Sequence, residues 1–388
     1  MTSRIDYGAV ETVPGTDITF RRTGRGRRSV LFVHGYLDGY TIWDDLITSL
    51  KTSDVEFVVL DLAGMGDRAD AEGPLTLDRY ADEVGQVADL LAKPTVLVGH
   101  SIGAPIVELV AAQRPGILGL VLIASIPLAG THLPAAALEP FSRAAGDVEA
   151  MRALLLGATA GSREEGLDHM AAVAAKVRPD AVEAIAQAWN NGHPDGNAPS
   201  EYRGPVLLLP GTEDDVASID SVKNQVAPRF AEPRYFAVEN AGHYPHFEQY
   251  HVVAEQIDKF LAEILAPGSQ WLVILSRPTL ESFSAACTPD VTLRLSAAEE
   301  PVVGPAAVRH FFTITQTMYD SLAFVHEARD ANRTYMKWEG QFQNKPVSGV
   351  TILSYNESGL IREIELYHRP YGQVLAFAAE LTRRLAKP

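Results

Sequence analysis

The chain holds 388 residues, 46% of them hydrophobic and 21% charged, with a net charge of −16. Its length exceeds the ~250–300 residues at which one hydrophobic core stops growing, so two domains are expected, and the composition excludes disordered and fibrous classes. The acidic excess lies wholly upstream of residue 270, since residues 270–388 hold twelve basic and twelve acidic side chains; it opposes binding to nucleic acid or an anionic membrane and favours a neutral substrate.

The opening segment, MTSRIDYGAVETVPG, shows no apolar signal core and no small-residue cleavage site. No run of about 18 apolar residues occurs anywhere, so no membrane span is expected. A single cysteine, Cys287, leaves no internal disulfide and fits a reducing, cytoplasmic setting, where it reads as a small buried hydrophobe. Strands are then predicted at Ser29–His34, Glu56–Leu62, Thr95–Gly99, Leu118–Ala124, Pro205–Pro210 and Arg234–Val238. Most are apolar throughout, as befits strands covered on both faces of a parallel sheet. Helices are predicted between them at Trp43–Leu50, Leu77–Leu91, Ala104–Gln113 and Gln249–Leu265. This alternation predicts an α/β fold with a doubly wound, mostly parallel sheet over residues 1–266. From Ile126 to about Tyr202 the strand signal stops and Ala- and Leu-rich helical segments take over, the mark of a functional insertion such as a lid.

After Ala266-Pro267-Gly268 the rhythm changes. A helical segment near Arg277–Cys287, a strand at Asp290–Leu295 and a helix at Ala306–Met318 lead into long alternating stretches. These are Ala323–Asn332, Thr334–Gln343, Val347–Asn356 and Leu360–His368, followed by a closing helix. Asn332-Arg333 and Asn356-Glu357-Ser358-Gly359 supply turn chemistry, so residues 270–388 predict an α+β domain with a curved antiparallel sheet and helices on one face.

The chemistry centres on Gly99-His100-Ser101-Ile102-Gly103, a G-x-S-x-G sequence that leaves an apolar strand and opens a helix. A serine on such a sharp turn is held above the sheet, and the glycines avoid clashes there. The N–H of Ile102, at the helix N-terminus, can stabilise an oxyanion. A hydroxyl needs a base and an orienting acid, expected downstream in the order acid, then histidine. Gly211-Thr212-Glu213-Asp214-Asp215 offers carboxylates after the strand PVLLLP, at a strand's C-terminal end. Asn240-Ala241-Gly242-His243 follows the next strand, and only His243 among the histidines has that placement.

These motifs, with HGY at His34–Tyr36 and DLAGMG at Asp61–Gly66, resemble the α/β-hydrolase superfamily in order and spacing across residues 1–266. The loop HGYLDGYTIW is most similar to the arylesterase and cofactor-independent perhydrolase branch. The resemblance implies Ser101 as nucleophile, His243 as general base and then acid, and Asp214, on the family's G-x-x-D position, as the group orienting His243. Asp215 and then Glu213 stay open as the acid, whereas Ser125 stands where some relatives carry theirs. The second oxyanion donor would be the Tyr36 N–H. Serine at position 101 disfavours the aspartate-nucleophile chemistries of epoxide hydrolases and dehalogenases. His34 and His100 read as structural, His246 as facing elsewhere in a loop, and His132, His169 and His193 as solvated. Trp43 and Tyr36 read either as pocket lining or as packing.

The segments TPDVTLRL, VVGPAAVRHFF and SGLIREIELYHRP resemble the nuclear-transport-factor-2-like (NTF2-like), SnoaL-like superfamily. That resemblance implies a cone-shaped fold around an apolar pocket, often dimeric. Inward polar candidates are His326, Tyr335, Lys337 and Trp338, with register deciding which point inward, while Asp290 reads as a turn residue. No Asp-Arg-Asp constellation of the limonene-epoxide-hydrolase kind can be placed. Together these readings predict a serine hydrolase of a carboxylic ester or lactone, without metal or organic cofactor, and a homodimer whose second domain dimerises or closes the pocket. The same triad also supports C–C bond hydrolysis, hydroxynitrile lysis and perhydrolysis. A triad-bearing ligand sensor and a bifunctional natural-product tailoring enzyme are the rival readings.

Overall fold

A computed structural model describes residues 5–26, 28–114, 116–161, 166–266, 268–276, 278–356 and 359–385. Pro267 of the expected linker, Arg277 of the expected helix and Glu357–Ser358 of the expected turn lie outside the described residues. The chain divides into two compact units that meet in sequence at Ala262 and Glu263.

The first unit is built on eight strands: β1 (Glu11–Thr12), β2 (Thr19–Gly24), β3 (Arg28–Val33), β4 (Val55–Leu60), β5 (Thr95–His100), β6 (Ile117–Ile123), β7 (Val206–Leu209) and β8 (Arg234–Tyr235). They lie in the order β1-β2-β4-β3-β5-β6-β7-β8. From β4 to β8 every pair is parallel, whereas β1 and β2 join antiparallel at one edge. The apolar runs read as strands are present as β3 to β8, with β8 shortened from the expected Arg234–Val238. The edge strands β1 and β2 were not expected. In β2, TFRRTG is largely half-buried, so it lacks the continuous apolar signal of strands sandwiched between helices.

Helices Leu77–Leu91 and Gly103–Gln113 cover the sheet, and Tyr250–Ile264 closes the unit. Thr76 caps the first of these by accepting from the Arg79 N–H, satisfying one of the donors that a helix start leaves unpaired. Between β6 and β7 the described residues form no strand. Instead helices Ala135–Ala144, Val148–Ala158, Leu167–Ala174 and Pro179–Asn191 fill the insertion.

The second unit carries β9 (Cys287–Leu295), β10 (Val302–Val303), β11 (Ser321–Asp330), β12 (Arg333–Phe342), β13 (Lys345–Tyr355) and β14 (Ile361–Arg369), in the order β10-β9-β14-β13-β12-β11. The sheet is not wholly antiparallel as expected, because β9 and β14 pair in parallel. Helices Leu280–Ala286, Pro305–Thr315 and Tyr371–Leu385 follow the expected order, and Ser269–Ser276 is an additional one. Rings of Trp271, Phe283 and Phe312 pack within 5.1–6.2 Å centroid to centroid in its core. Cys287 is buried there, and burial pushes its thiol up to about 11.

Candidate active site

The C-terminal ends of β3, β5, β7 and β8 raise four loops at one edge of the first sheet, the position where open α/β sheets assemble sites. Ser101 follows β5 directly with φ of 51°, a left-handed conformation rare outside glycine. The flanking glycines are required by contact. A Cβ on Gly99 would collide with the Gly103 carbonyl, and one on Gly103 with the Val33 carbonyl of β3. The turn is therefore tight enough to lift a hydroxyl above the sheet and start a helix at once.

Ser101 Oγ lies 2.9 Å from His243 Nε2, and His243 Nδ1 lies 2.9 Å from Asp214 Oδ2. All three residues are buried. Asp214 Oδ1 also accepts from the N–H groups of Val216 and Ala217, each at 2.8 Å. Burial pushes the Asp214 carboxyl up, yet the His243 imidazole and these two backbone donors outweigh it and leave the group below its ordinary range. An ionised carboxylate only accepts, so His243 Nδ1 carries the proton and donates to it. In the neutral ring Nε2 is then the acceptor, and the Ser101 O–H donates to it. Burial pushes the His243 imidazole down, but the negative charge and hydrogen bond of Asp214, aided by Asp38 and Glu248, leave it above its ordinary value of 6.5.

Of the adjacent acidic side chains, Asp214 meets the imidazole. Asp215 is exposed and lines the cavity mouth, and Glu213 is exposed. Ser125 turns its hydroxyl to the Ile126 carbonyl at 3.0 Å. The Ile102 N–H stands at the start of helix Gly103–Gln113, and Tyr36 sits in the loop after β3. Among the described residues no acceptor is bonded to either N–H. Their neighbours are engaged, Leu37 N–H with Met65 Sδ at 3.3 Å and Asp38 N–H with the Gly35 carbonyl at 3.4 Å.

Other histidines divide by their partners. His34 is fully buried, with Nδ1 donating to the Gly35 carbonyl at 2.8 Å and Nε2 accepting from Leu62 N–H at 3.1 Å. It pins the loop after β3 to the loop after β4. His100 Nε2 donates to the His243 carbonyl at 2.8 Å, while Nδ1 faces buried Asp38 Oδ2 at 3.4 Å. The Nε2 bond links the end of β5 to the loop after β8, a tie absent from the sequence reading, whereas Nδ1 and Asp38 Oδ2 share no hydrogen bond. His246 does not face away in a loop. It lies in helical turn Pro245–Glu248, fully buried, its ring 4.3 Å from that of His100 and 4.5 Å from Trp43. His132 and His169 are exposed and His193 is half-buried, bonded to Asp78 at 3.0 Å. Glu248 was also missed: its carboxylate accepts from Gly242, Tyr244 and Ala160 N–H groups, holding the His243 loop against the end of an insertion helix. Its signal was only a carboxylate one helical turn beyond the AGHYPH loop.

A cavity of about 300 Å³ opens onto Ser101 and His243. The insertion supplies most of its wall through Leu133, Phe141, Met151, Leu155 and Trp189. Tyr36 joins that wall, its ring edge-on to Phe141 at 5.4 Å and Trp189 at 5.9 Å. Trp43 does not; it is buried 5.2 Å from Phe32.

In the second unit, β12 buries Thr334, Met336 and Trp338 on one face and leaves Tyr335 and Lys337 half-buried on the other. Of the inward candidates only Trp338 reaches the interior cavity, since His326 is exposed. Asp290 is an exposed residue of β9 rather than a turn residue. Among the described residues, no group of three or more His, Cys, Asp or Glu side chains is arranged to hold a metal ion, and no helix is long and apolar enough to cross a membrane.

Comparison with known proteins adds an independent view of the first unit. The family model described as "Alpha/beta hydrolase family" matches residues 30–256. Among solved structures, a thermophilic esterase from Thermogutta terrifontis aligns at 22% identity, covering 66% of this chain and 98% of its own, with a TM-score of 0.54. The enol-lactonase from Burkholderia xenovorans LB400 aligns at 18% identity over 66% of this chain and 100% of its own, TM-score 0.55. A bromoperoxidase from Bacillus anthracis aligns at 16% over 66% and 99%, TM-score 0.57. A search of curated proteins finds no match.

Proposed function

The chain belongs to the alpha/beta hydrolase family, and on that premise we propose that it is a serine hydrolase cleaving a carboxylic ester or lactone of a neutral small molecule through an acyl-enzyme. The observation that carries this reading is the unbroken relay from Ser101 through His243 to Asp214, with both links at 2.9 Å. In the first half-reaction Ser101 Oγ attacks the carbonyl carbon while His243 Nε2 takes its proton. Asp214 holds the ring by Nδ1 and stabilises the imidazolium that forms. The N–H groups of Tyr36 and Ile102 receive the oxyanion, a role supported by their lack of a bonded acceptor among the described residues. His243 then gives its proton to the leaving alkoxide. In the second half-reaction water attacks the acyl carbon, His243 takes its proton, and Ser101 departs as the alcohol.

The apolar cavity wall supports a substrate whose acyl part is uncharged. Burying a carboxylate against such side chains, beside exposed Asp215, would cost its hydration without a compensating partner. The esterase and enol-lactonase among the structural neighbours fit this reading. We read the second unit as the NTF2-like module of a homodimer. Its six-stranded sheet over an aromatic interior supports that reading, and sedimentation of the full chain tests the dimer.

The hydrolase reading is tested with fluorophosphonate labelling and a graded series of p-nitrophenyl esters and lactones. Labelling and turnover are expected in the native chain and not in Ser101→Ala. Equal turnover by that variant would refute the reading.

A further inference from the structure

The cavity over Ser101 is apolar over most of its wall, so its polar side chains can be followed one by one. The Tyr36 hydroxyl donates to the Val182 carbonyl at 2.8 Å, and the Thr131 hydroxyl to Asn190 Oδ1 at 2.7 Å. His100 Nε2 donates to the His243 carbonyl, while His100 Nδ1 and Trp189 Nε1 are sealed in the packing. Ser101 and His243 are bonded to each other, and Asp215 stands exposed at the mouth. Tyr244 remains. It is 5% exposed and lines the cavity. Among the described residues its hydroxyl has no hydrogen-bond partner, and it is not sealed like those two nitrogens. The phenol therefore opens into the cavity with its hydrogen free.

Neighbours fix the position of that hydroxyl. The Tyr244 N–H donates to Glu248 Oε1 at 3.2 Å, which ties its backbone to helical turn Pro245–Glu248. Its ring stands edge-on to the His243 imidazole at 5.5 Å and packs on His100 at 5.0 Å. Burial, with the negative charges of Asp38, Asp214 and Glu248, pushes the phenol well above its ordinary value, so it keeps its proton. In the proposed reaction this donor has no task, because the oxyanion goes to the Tyr36 and Ile102 N–H groups and the leaving alkoxide to His243. A bound hydrocarbon would strip its hydration without replacing the lost hydrogen bond. Sites built around such a donor discriminate against analogues that lack the matching acceptor.

We propose that Tyr244 determines specificity, donating a hydrogen bond to a second oxygen of the substrate, an ether, hydroxyl or carbonyl beyond the scissile ester group. The substrate class then narrows from neutral esters and lactones to those with a further oxygen, such as alkoxy, hydroxy or oxo esters. This rests on the hydrolase reading for its chemistry, but the hydrogen bond forms on binding and needs no turnover.

The test uses the full-length Ser101→Ala chain labelled with fluorotryptophan. Binding is read by fluorine NMR as a saturable shift of the Trp189 resonance, assigned with Trp189→Phe, because Trp189 lines this cavity. The acyl-side probes are methyl hexanoate and its three analogues with an ether oxygen in place of carbon 3, 4 or 5. Butyl acetate and 2-methoxyethyl acetate form the matching pair for the alcohol side. Expected is binding about three- to tenfold tighter for at least one oxygen analogue than for its hydrocarbon partner, with that preference lost when Tyr244→Phe is added. The analogue that gains tells the acyl side from the alcohol side. Should the double variant fail to fold, 3-fluorotyrosine at position 244 of the Ser101→Ala chain makes the same comparison, its resonance moving further with the favoured analogue. Equal affinities within every pair, a preference that survives Tyr244→Phe, or equal fluorotyrosine shifts within a pair would each overturn the proposal. Failure of the hydrolase reading shows separately, as absence of ester turnover by the native chain.

Discussion

The two cavities are nearly matched in size, about 300 and 350 Å³, and both are walled by apolar side chains. Each unit buries a histidine hydrogen-bonded to a hydroxyl that lines its cavity, His243 to Ser101 and His368 to Tyr319, though only His243 lines the cavity itself. They differ in what stands behind the imidazole. Asp214 backs His243 with a full charge and a 2.9 Å hydrogen bond, so burial is overcome and the ring's proton affinity rises. Among the described residues nothing charged backs His368 and its second nitrogen has no partner, and burial drives it down to about 4. Burying a histidine therefore does not make it a base. A carboxylate behind it does, because the imidazolium formed in proton transfer must be paid for within a medium of low polarity. On the proposed function, the first imidazole is set to take a proton, whereas the second is held neutral.

This contrast can be broken most forcefully at Ser101. Ser101→Ala should lower ester turnover by on the order of 10⁴-fold or more, measured as kcat on a p-nitrophenyl ester. Next comes Asp214→Asn, which removes the charge that distinguishes the two histidines. Turnover should fall on the order of 10³–10⁴-fold. The pH profile gives the sign. Attack needs neutral His243, so kcat/KM falls as pH drops through its raised value. Without Asp214 that acid limb should move to lower pH; a limb that stays in place would mean Asp214 does not set it. In the second unit, Phe283→Ala should cost about 3–5 kcal/mol, read by denaturant unfolding, because Phe283 is fully buried. Asp215→Asn should change kcat/KM by less than about threefold, since Asp215 is exposed at the cavity mouth. A loss comparable to that of Asp214→Asn would shift the orienting role to Asp215. Smallest of all, Tyr319→Phe should leave ester turnover unchanged within error.

The parts legible from sequence are those with local causes. The G-x-S-x-G turn is readable because a Cβ at Gly99 or Gly103 collides with nearby backbone, so few residues fit. The parallel strands announce themselves by being apolar on both faces, while edge strand β2 does not. Asp214 and Asp215 could not be separated by spacing alone, because a small rotation of their loop decides which carboxylate meets the ring. The bond from His100 to the His243 carbonyl joins segments that meet only once the sheet has formed. Tyr319 and His368 are 49 positions apart, and their meeting depends on the register of β14 against β13. The same dependence left open which of Tyr335, Lys337 and Trp338 point inward; Thr334, Met336 and Trp338 take the inner face.

The most direct measurement is the mass of the protein's own peptides, caught during turnover of a slowly deacylating p-nitrophenyl ester. One acyl group per chain, released with a stoichiometric burst of p-nitrophenol and located on the peptide holding Ser101, is the expected result. Steady turnover with the acyl group on another residue, or undiminished in Ser101→Ala, would contradict it.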